Sequence, residues 1–180
     1  NATFRSASGG RTYVCNVSFT GNNNALITNT GGNPTTTFNN VTVNKGNSRA
    51  TTLTCNIGGT LNTPADNWLT LQNGAFIYDR TGDLNISTTT DFVIPATAEL
   101  RINSPSNIFI ANSATNGRAL YLNGRLTILT GGGNVYVGPS GNTGNNADIE
   151  YSGSGASMIE VQSGNLFVNG QIRRPLATTN

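Results

Sequence analysis

Asp148 and Glu150, two carboxylates separated by one residue, are the pair in this 180-residue chain best spaced for acid–base work. Residues i and i+2 of a β-strand point to one face. Their carboxyl groups then fall near the roughly 6.5–9.5 Å separation that inverting glycoside hydrolysis uses. Elimination chemistry on acidic polysaccharides asks instead for carboxylates on adjacent strands to hold calcium, with an Arg or Lys as base. Glu160 and Arg101 come nearest to that arrangement, with Thr127 between them, and no dense cluster of Asp with Arg or Lys emerges. The chain contains no His, which removes the commonest general base and the commonest metal ligand together. The expectation is a solvated acidic face and a protein that is not an enzyme, with no catalytic residues, cofactor or metal site; polysaccharide cleavage is the alternative.

Aromatic residues offer a second kind of chemistry. Phe109, Tyr136 and Phe167 each occupy the middle of an apolar-x-apolar triplet, as does Asn85. In strands stacked side by side these central positions face outward and repeat at ~4.8 Å. Such a column can bind sugar rings or cover a partner surface; the plainer expectation is that a loop buries it or that the rings stack on each other. Trp68 and Tyr121 are weaker candidates on the same logic.

Cys15 and Cys55 match no metal-ligand spacing. Both sit on apolar alternations (Tyr13, Cys15, Val17, Phe19 and Leu53, Cys55, Ile57), so both are expected to point inward, either as buried free thiols or as a disulfide. The runs Thr35–Thr37 and Thr88–Thr90 raise an ice-binding possibility, which needs Thr at matching positions coil after coil. The outer residues of the first strand column run Thr42, Thr70, Val93, Tyr121, Glu150, so that ladder breaks. Four Asn-x-Ser/Thr sequons occur, at Asn1, Asn16, Asn40 and Asn85, as an Asn- and Thr-rich chain produces by chance.

The elements that must carry these residues follow from composition and period. Asn, Thr, Gly and Ser make up roughly half of the chain, while only 10% is charged and 36% hydrophobic. Disordered chains lack β-branched alternations of the kind seen here, and helical bundles need the Ala, Leu, Glu and Lys that are scarce. Ten basic and eight acidic residues leave a net charge of +2, with no basic patch to follow a phosphate backbone, so a nucleic-acid partner is not expected. No apolar run approaches the ~18 residues of a membrane span. No charged-then-apolar signal segment opens the sequence, which is expected to be mature or excised from a longer chain.

Short triplets recur throughout: Val41–Val43, Leu53–Cys55, Leu69–Leu71, Leu84–Ile86, Leu100–Ile102, Ile108–Ile110, Leu120–Leu122, Leu126–Ile128, Val135–Val137, Ile159–Val161 and Leu166–Val168. Asn-Gly pairs at 73–74, 116–117, 123–124 and 169–170 punctuate them. Grouped in threes, the strand starts align as 41, 53, 61; 69, 76, 84; 92, 100, 108; 120, 126, 135; and 149, 159, 166. Three strands per repeat is what a right-handed parallel β-helix requires. About six coils at ~4.8 Å would make a rod roughly 30 Å long. Asn-Gly turns also suit the hairpins of a β-sandwich, but the strands are very short, the spacing repeats in threes, and Asn is abundant enough to ladder. Residues 1–40 are expected to form an N-terminal coil or cap, 41–174 the regular helix, and 175–180 a tail or the start of a further coil.

The stretch Phe38-Asn39-Asn40-Val41-Thr42-Val43, followed by Leu53-Thr54-Cys55-Asn56 and Leu69-Thr70-Leu71-Gln72-Asn73-Gly74, resembles the β-helical repeat segments of large secreted surface proteins of Bacteroidetes. The segment Ile159 to Gly170, continued by Gln171-Ile172-Arg173-Arg174, is similar to the same group. The resemblance spans about residues 38 to 174. It implies export through the type IX secretion system and a cell-surface, extracellular location. It implies a structural or adhesive role as part of a larger protein, with glycans, other surface proteins or the secretion machinery as partners. It carries over no catalytic residues. Carbohydrate binding or degradation is the alternative function.

Overall fold

A computed structural model describes residues 15–29, 35–113, 115, 117–139, 147–152 and 155–174. Tyr13, the sequon at Asn1, the Asn of the 116–117 pair and the 175–180 tail lie outside the described residues, as do parts of the expected cap. The first strands are β1 (Cys15–Gly21), β2 (Ala25–Thr28), β3 (Thr35–Lys45), β4 (Thr52–Asn56), β5 (Thr60–Asn62) and β6 (Leu69–Tyr78). They continue as β7 (Leu84–Asn85), β8 (Phe92–Ile94), β9 (Ala98–Ile102), β10 (Asn107–Ile110), β11 (Ala119–Leu122) and β12 (Arg125–Ile128). The last are β13 (Asn134–Val137), β14 (Asp148–Tyr151), β15 (Met158–Val161), β16 (Asn165–Val168) and β17 (Ile172–Arg173).

Every ladder between these strands is parallel, and the chain winds as a right-handed parallel β-solenoid of about five turns, close to the six expected. Three strand columns result. The first holds β1, β3 and the front of β6, and then β8, β11, β14 and β17, which form a separate ladder whose first strand touches β6 without pairing with it. The second holds β2, β4, the back of β6, β9, β12 and β15. The third holds β7, β10, β13 and β16. The ten-residue β6 serves two columns because it bends at Asn73-Gly74, where Gly74 takes the left-handed φ of +86° and a side chain would collide with the Lys45 and Thr51 backbone. β1 and β2 already stack in register on β3 and β4, so the solenoid reaches into the region expected to cap it.

The register is the one the spacing requires. Leu53, Phe76, Leu100, Leu126 and Ile159 stand above one another in the second column, and Leu84, Ile108, Val135 and Leu166 in the third. Phe92, Leu120, Ile149 and Ile172 do so in the first. Period-two alternation sends these residues inward on every coil, and most are fully shielded in one continuous core. Each buried Leu or Ile contributes about 1.5–3 kcal/mol. No coil could bury this face alone, so coil-to-coil stacking and folding are the same event.

Amide side chains reinforce the outside. Asn73 Nδ2 donates to Asn44 Oδ1 at 2.8 Å, and Asn56 and Asn103 both donate to the Asp79 carboxylate from the coils on either side of it, at 3.2 and 2.8 Å. Asn does ladder, as its abundance predicts, with Asp as an acceptor in the row.

Candidate functional site

The outer face of the third column carries the most regular surface chemistry of the described residues. Phe109 pairs with Asn85 and Tyr136, and Tyr136 with Phe167, so the aromatic column expected from the spacing forms. Phe109 and Tyr136 stack with ring centroids 5.2 Å apart and planes inclined by 19°; Tyr136 and Phe167 do so at 4.8 Å and 12°. Near-parallel rings at this separation cannot lie flat on the sheet side by side, because an aromatic ring is wider than the rung spacing. They tilt and overlap like shingles, the offset-stacked arrangement that the ring quadrupole favours. The column is therefore a shingled row, not a flat platform, and each ring shows solvent only part of a face. Phe167 is the most open, at 45% exposure. Tyr136, Gly138, Pro139, Phe167 and Asn169 line an open depression of about 240 Å³ beside it.

A second row runs beside the first, two residues earlier on each strand. Asn165 Nδ2 donates to Asn134 Oδ1 at 3.0 Å, and Asn134 Nδ2 to Asn107 Oδ1 at 3.1 Å. The Asn107 backbone N–H and amide both reach the Asp83 carboxylate, at 2.9 and 3.4 Å. Asn107 and Asn134 each spend one N–H and one lone pair along the column and Asn165 spends one N–H, so every amide keeps at least one of each. These Asn residues stand one position before the strand starts at 108, 135 and 166 that the spacing defines, and the structure includes them as the first residues of β10, β13 and β16, so the same spacing that reveals the aromatics reveals them too.

The acidic pair is occupied. Asp148 and Glu150 do share a face, but Arg173 on the next coil binds both: Nε lies 2.8 Å from Asp148 Oδ2, and a terminal nitrogen lies 2.9 Å from Glu150 Oε1. Asp148 also accepts the Gln171 backbone N–H at 2.7 Å. Tyr121 is at the outer position that pairs with Val93 and Glu150. Its hydroxyl is pushed up from its ordinary value, first by burial and then by the charges of Asp91 and Glu150, with Arg173 opposing.

A charge cluster that the sequence expectation passed over lies on the second column. Glu99 is only 2% exposed although it sits on the outer face. It receives Thr127 Oγ1 at 2.6 Å and Arg101 at 2.8 Å, and Arg125 Nε stands 3.7 Å away. Arg125 pairs in turn with Glu160, whose carboxyl is held below the usual range by hydrogen bonds from Gln162 and Arg125. Arg101 also donates to the Arg49 carbonyl at 3.2 Å, and Arg49 reaches the Ala156 carbonyl at 3.4 Å, so the turn bearing Arg49 lies over this face. Thr127 does stand between Arg101 and Glu160 in register. The register also sets Glu99 beside Arg125, a signal present in the spacing. Among the described residues no three His, Cys, Asp or Glu side chains gather in a way that would hold a metal ion.

Two expectations require correction. Trp68 does not join the outer aromatic column: it is 2% exposed, packs edge-on against Phe76 with centroids 6.2 Å apart, and donates Nε1–H to the Asn85 carbonyl at 3.0 Å. The preceding Asn67 has a left-handed φ of 52°, which resets the alternation and turns the indole inward. Cys15 and Cys55 form no disulfide, and only Cys55 points inward. The register slips between Cys15 and Asn16, which breaks the alternation and leaves Cys15 exposed. Burial pushes the Cys55 thiol up to about 12, with Arg80 acting against it.

Fold and surface together define the class as a parallel β-solenoid whose outer faces carry side-chain ladders. No protein-family model matches the chain, and no curated protein and no solved structure shows significant similarity to it.

Proposed function

We propose that this chain is a non-catalytic structural and adhesive segment of a larger extracellular, cell-surface protein. The observation that carries this is Arg173 bridging Asp148 and Glu150. Each carboxylate of the pair best spaced for hydrolysis has an oxygen against the Arg173 guanidinium, so the pair is committed to an ion pair between coils and not held open to activate water or to protonate a leaving group. A continuous core and coil-to-coil amide ladders suit a stiff, protease-resistant spacer. The sequence resemblance to secreted surface proteins of Bacteroidetes supports the location and an export route through type IX secretion.

The test is incubation with a panel of neutral and acidic polysaccharides, read by release of reducing ends and by the ultraviolet absorbance of unsaturated uronates. No turnover is expected for the wild type. Turnover that disappears in Asp148→Asn or Glu150→Gln would establish the enzymatic alternative instead.

A further inference from the structure

We infer that the outer face of the third column is a binding strip for an extended, neutral polysaccharide laid along the rod axis, an inference that rests on the adhesive function proposed above. Three successive rungs present the same pair, an Asn and, two residues on, an aromatic: Asn107 with Phe109, Asn134 with Tyr136, Asn165 with Phe167. The two members of a pair stand about 7 Å apart along the strand, about the span of one pyranose ring with its hydroxyls. Rungs repeat at about 4.8 Å, close to the advance per unit of an extended β-linked glycan. A ligand that repeats in step with the coils meets the same partners at each unit.

The leftover chemistry of each row suits a sugar. Every amide keeps at least one N–H and one lone pair after the ladder is made, and a sugar hydroxyl both donates and accepts. Every shingled ring keeps part of a face, which takes the C–H side of a pyranose. The rows are also set before any ligand arrives, since amide bonds amide and ring stacks on ring, so little rotamer entropy remains to be lost on binding. The one charged member is Asp83, whose carboxylate is engaged by Asn107, and this selects a neutral polymer over an anionic one. The other two outer faces carry Glu99 with its arginines and Arg173 with its carboxylates, ionic arrangements already closed on themselves.

The experiment is affinity electrophoresis of the wild-type protein in gels containing soluble cellulose derivative, xylan or mannan, with polygalacturonate for comparison. Calorimetry with the matching neutral oligosaccharides, from disaccharide to hexasaccharide, follows. Retardation by a neutral polymer, insensitive to salt, and an affinity that rises with length and levels off once the rungs are covered, are expected. Tyr136→Ala and Asn134→Ala should each weaken binding by roughly tenfold, while Thr70→Ala on the first column leaves it unchanged. Melting curves verify that the variants fold.

If the wild type is retarded and the Asn134→Ala/Tyr136→Ala double variant is retarded equally, the strip is not the site, although adhesion stands. If no neutral polymer retards the wild type, the inference is overturned. In that case attachment of protein-coated beads to cell-surface matrix decides the adhesive function separately.

Discussion

Thr127 Oγ1 donates a 2.6 Å hydrogen bond to Glu99 Oε1 from the next coil, and both side chains are almost wholly shielded on what is nominally the outer face of the sheet. This contact turns a surface position into a small second core. Glu99→Ala would remove the acceptor for Thr127 and the counter-charge for Arg101. Because Arg101 and Arg125 keep partial access to water, the loss should be about 2–3 kcal/mol, below that of a fully buried broken pair. Thr127→Val should cost about 1–2 kcal/mol. Urea denaturation of both single variants and the double variant should show coupling above about 0.5 kcal/mol; strictly additive losses would mean that the two side chains do not act together.

The two thiols should behave as different chemical species. Cys55, buried and pushed up to about 12, has almost no thiolate at neutral pH, whereas Cys15 is exposed. A chromogenic disulfide reagent should therefore titrate one thiol in the native protein and a second only after denaturant is added. Two thiols reacting at equal native rates, or none reacting at all, would contradict this arrangement.

Gly164 and Gly155 have nearly the same left-handed backbone, φ +69° and +72°, but different surroundings. A Cβ on Gly164 would overlap the carbonyl of Gly133 on the neighbouring coil, and a Cβ on Gly155 would meet nothing. Gly155→Ala should cost about 1 kcal/mol from the backbone alone, and Gly164→Ala more than about 2 kcal/mol because the corners of two coils must part. Equal melting shifts for the two variants would show that the corner yields.

How much of this could be seen in the sequence depends on what repeats. The alignment of Leu100 with Leu126 and Ile159, or of Ile108 with Val135 and Leu166, needs only period-two strands and a constant coil length, and both are visible in the residues. The same arithmetic placed Phe109, Tyr136 and Phe167 on one face. Their tilt was not visible, because it follows from ring width against rung spacing and not from residue type.

Departures from the period account for the rest. A single slip at Cys15 inverted its direction, and a left-handed Asn67 turned Trp68 inward. The turn bearing Arg49 is tied over the Glu99 face by a hydrogen bond from Arg101 to the Arg49 carbonyl, a contact between residues 52 apart that no repeat encodes. Arg173 reached Asp148 and Glu150 from a coil further on, so the two carboxylates looked free when only their own strand was considered.

Asp66 makes the acid limb of stability testable. Its carboxylate accepts the backbone N–H groups of Thr88 at 2.6 Å and Thr89 at 2.8 Å, together with Thr89 Oγ1 at 2.7 Å, and so ties two loops of neighbouring coils. Burial acts to raise this carboxyl, but the hydrogen bonds from Thr89, Thr88 and Asn67 outweigh it and hold the group below its ordinary value. A depressed folded-state value means that the stabilisation is fully present above the unfolded carboxylate value of about 3.9 and is lost as pH falls through the folded one. Asp66→Asn should thus destabilise the protein by about 1 kcal/mol at neutral pH, the ordinary worth of a capping carboxylate near solvent. As pH falls through that depressed folded value the two proteins should converge. Urea midpoints measured across that range settle the matter: a wild-type advantage that does not change with pH would mean that hydrogen-bond geometry, and not the ionised carboxylate, holds the two loops together.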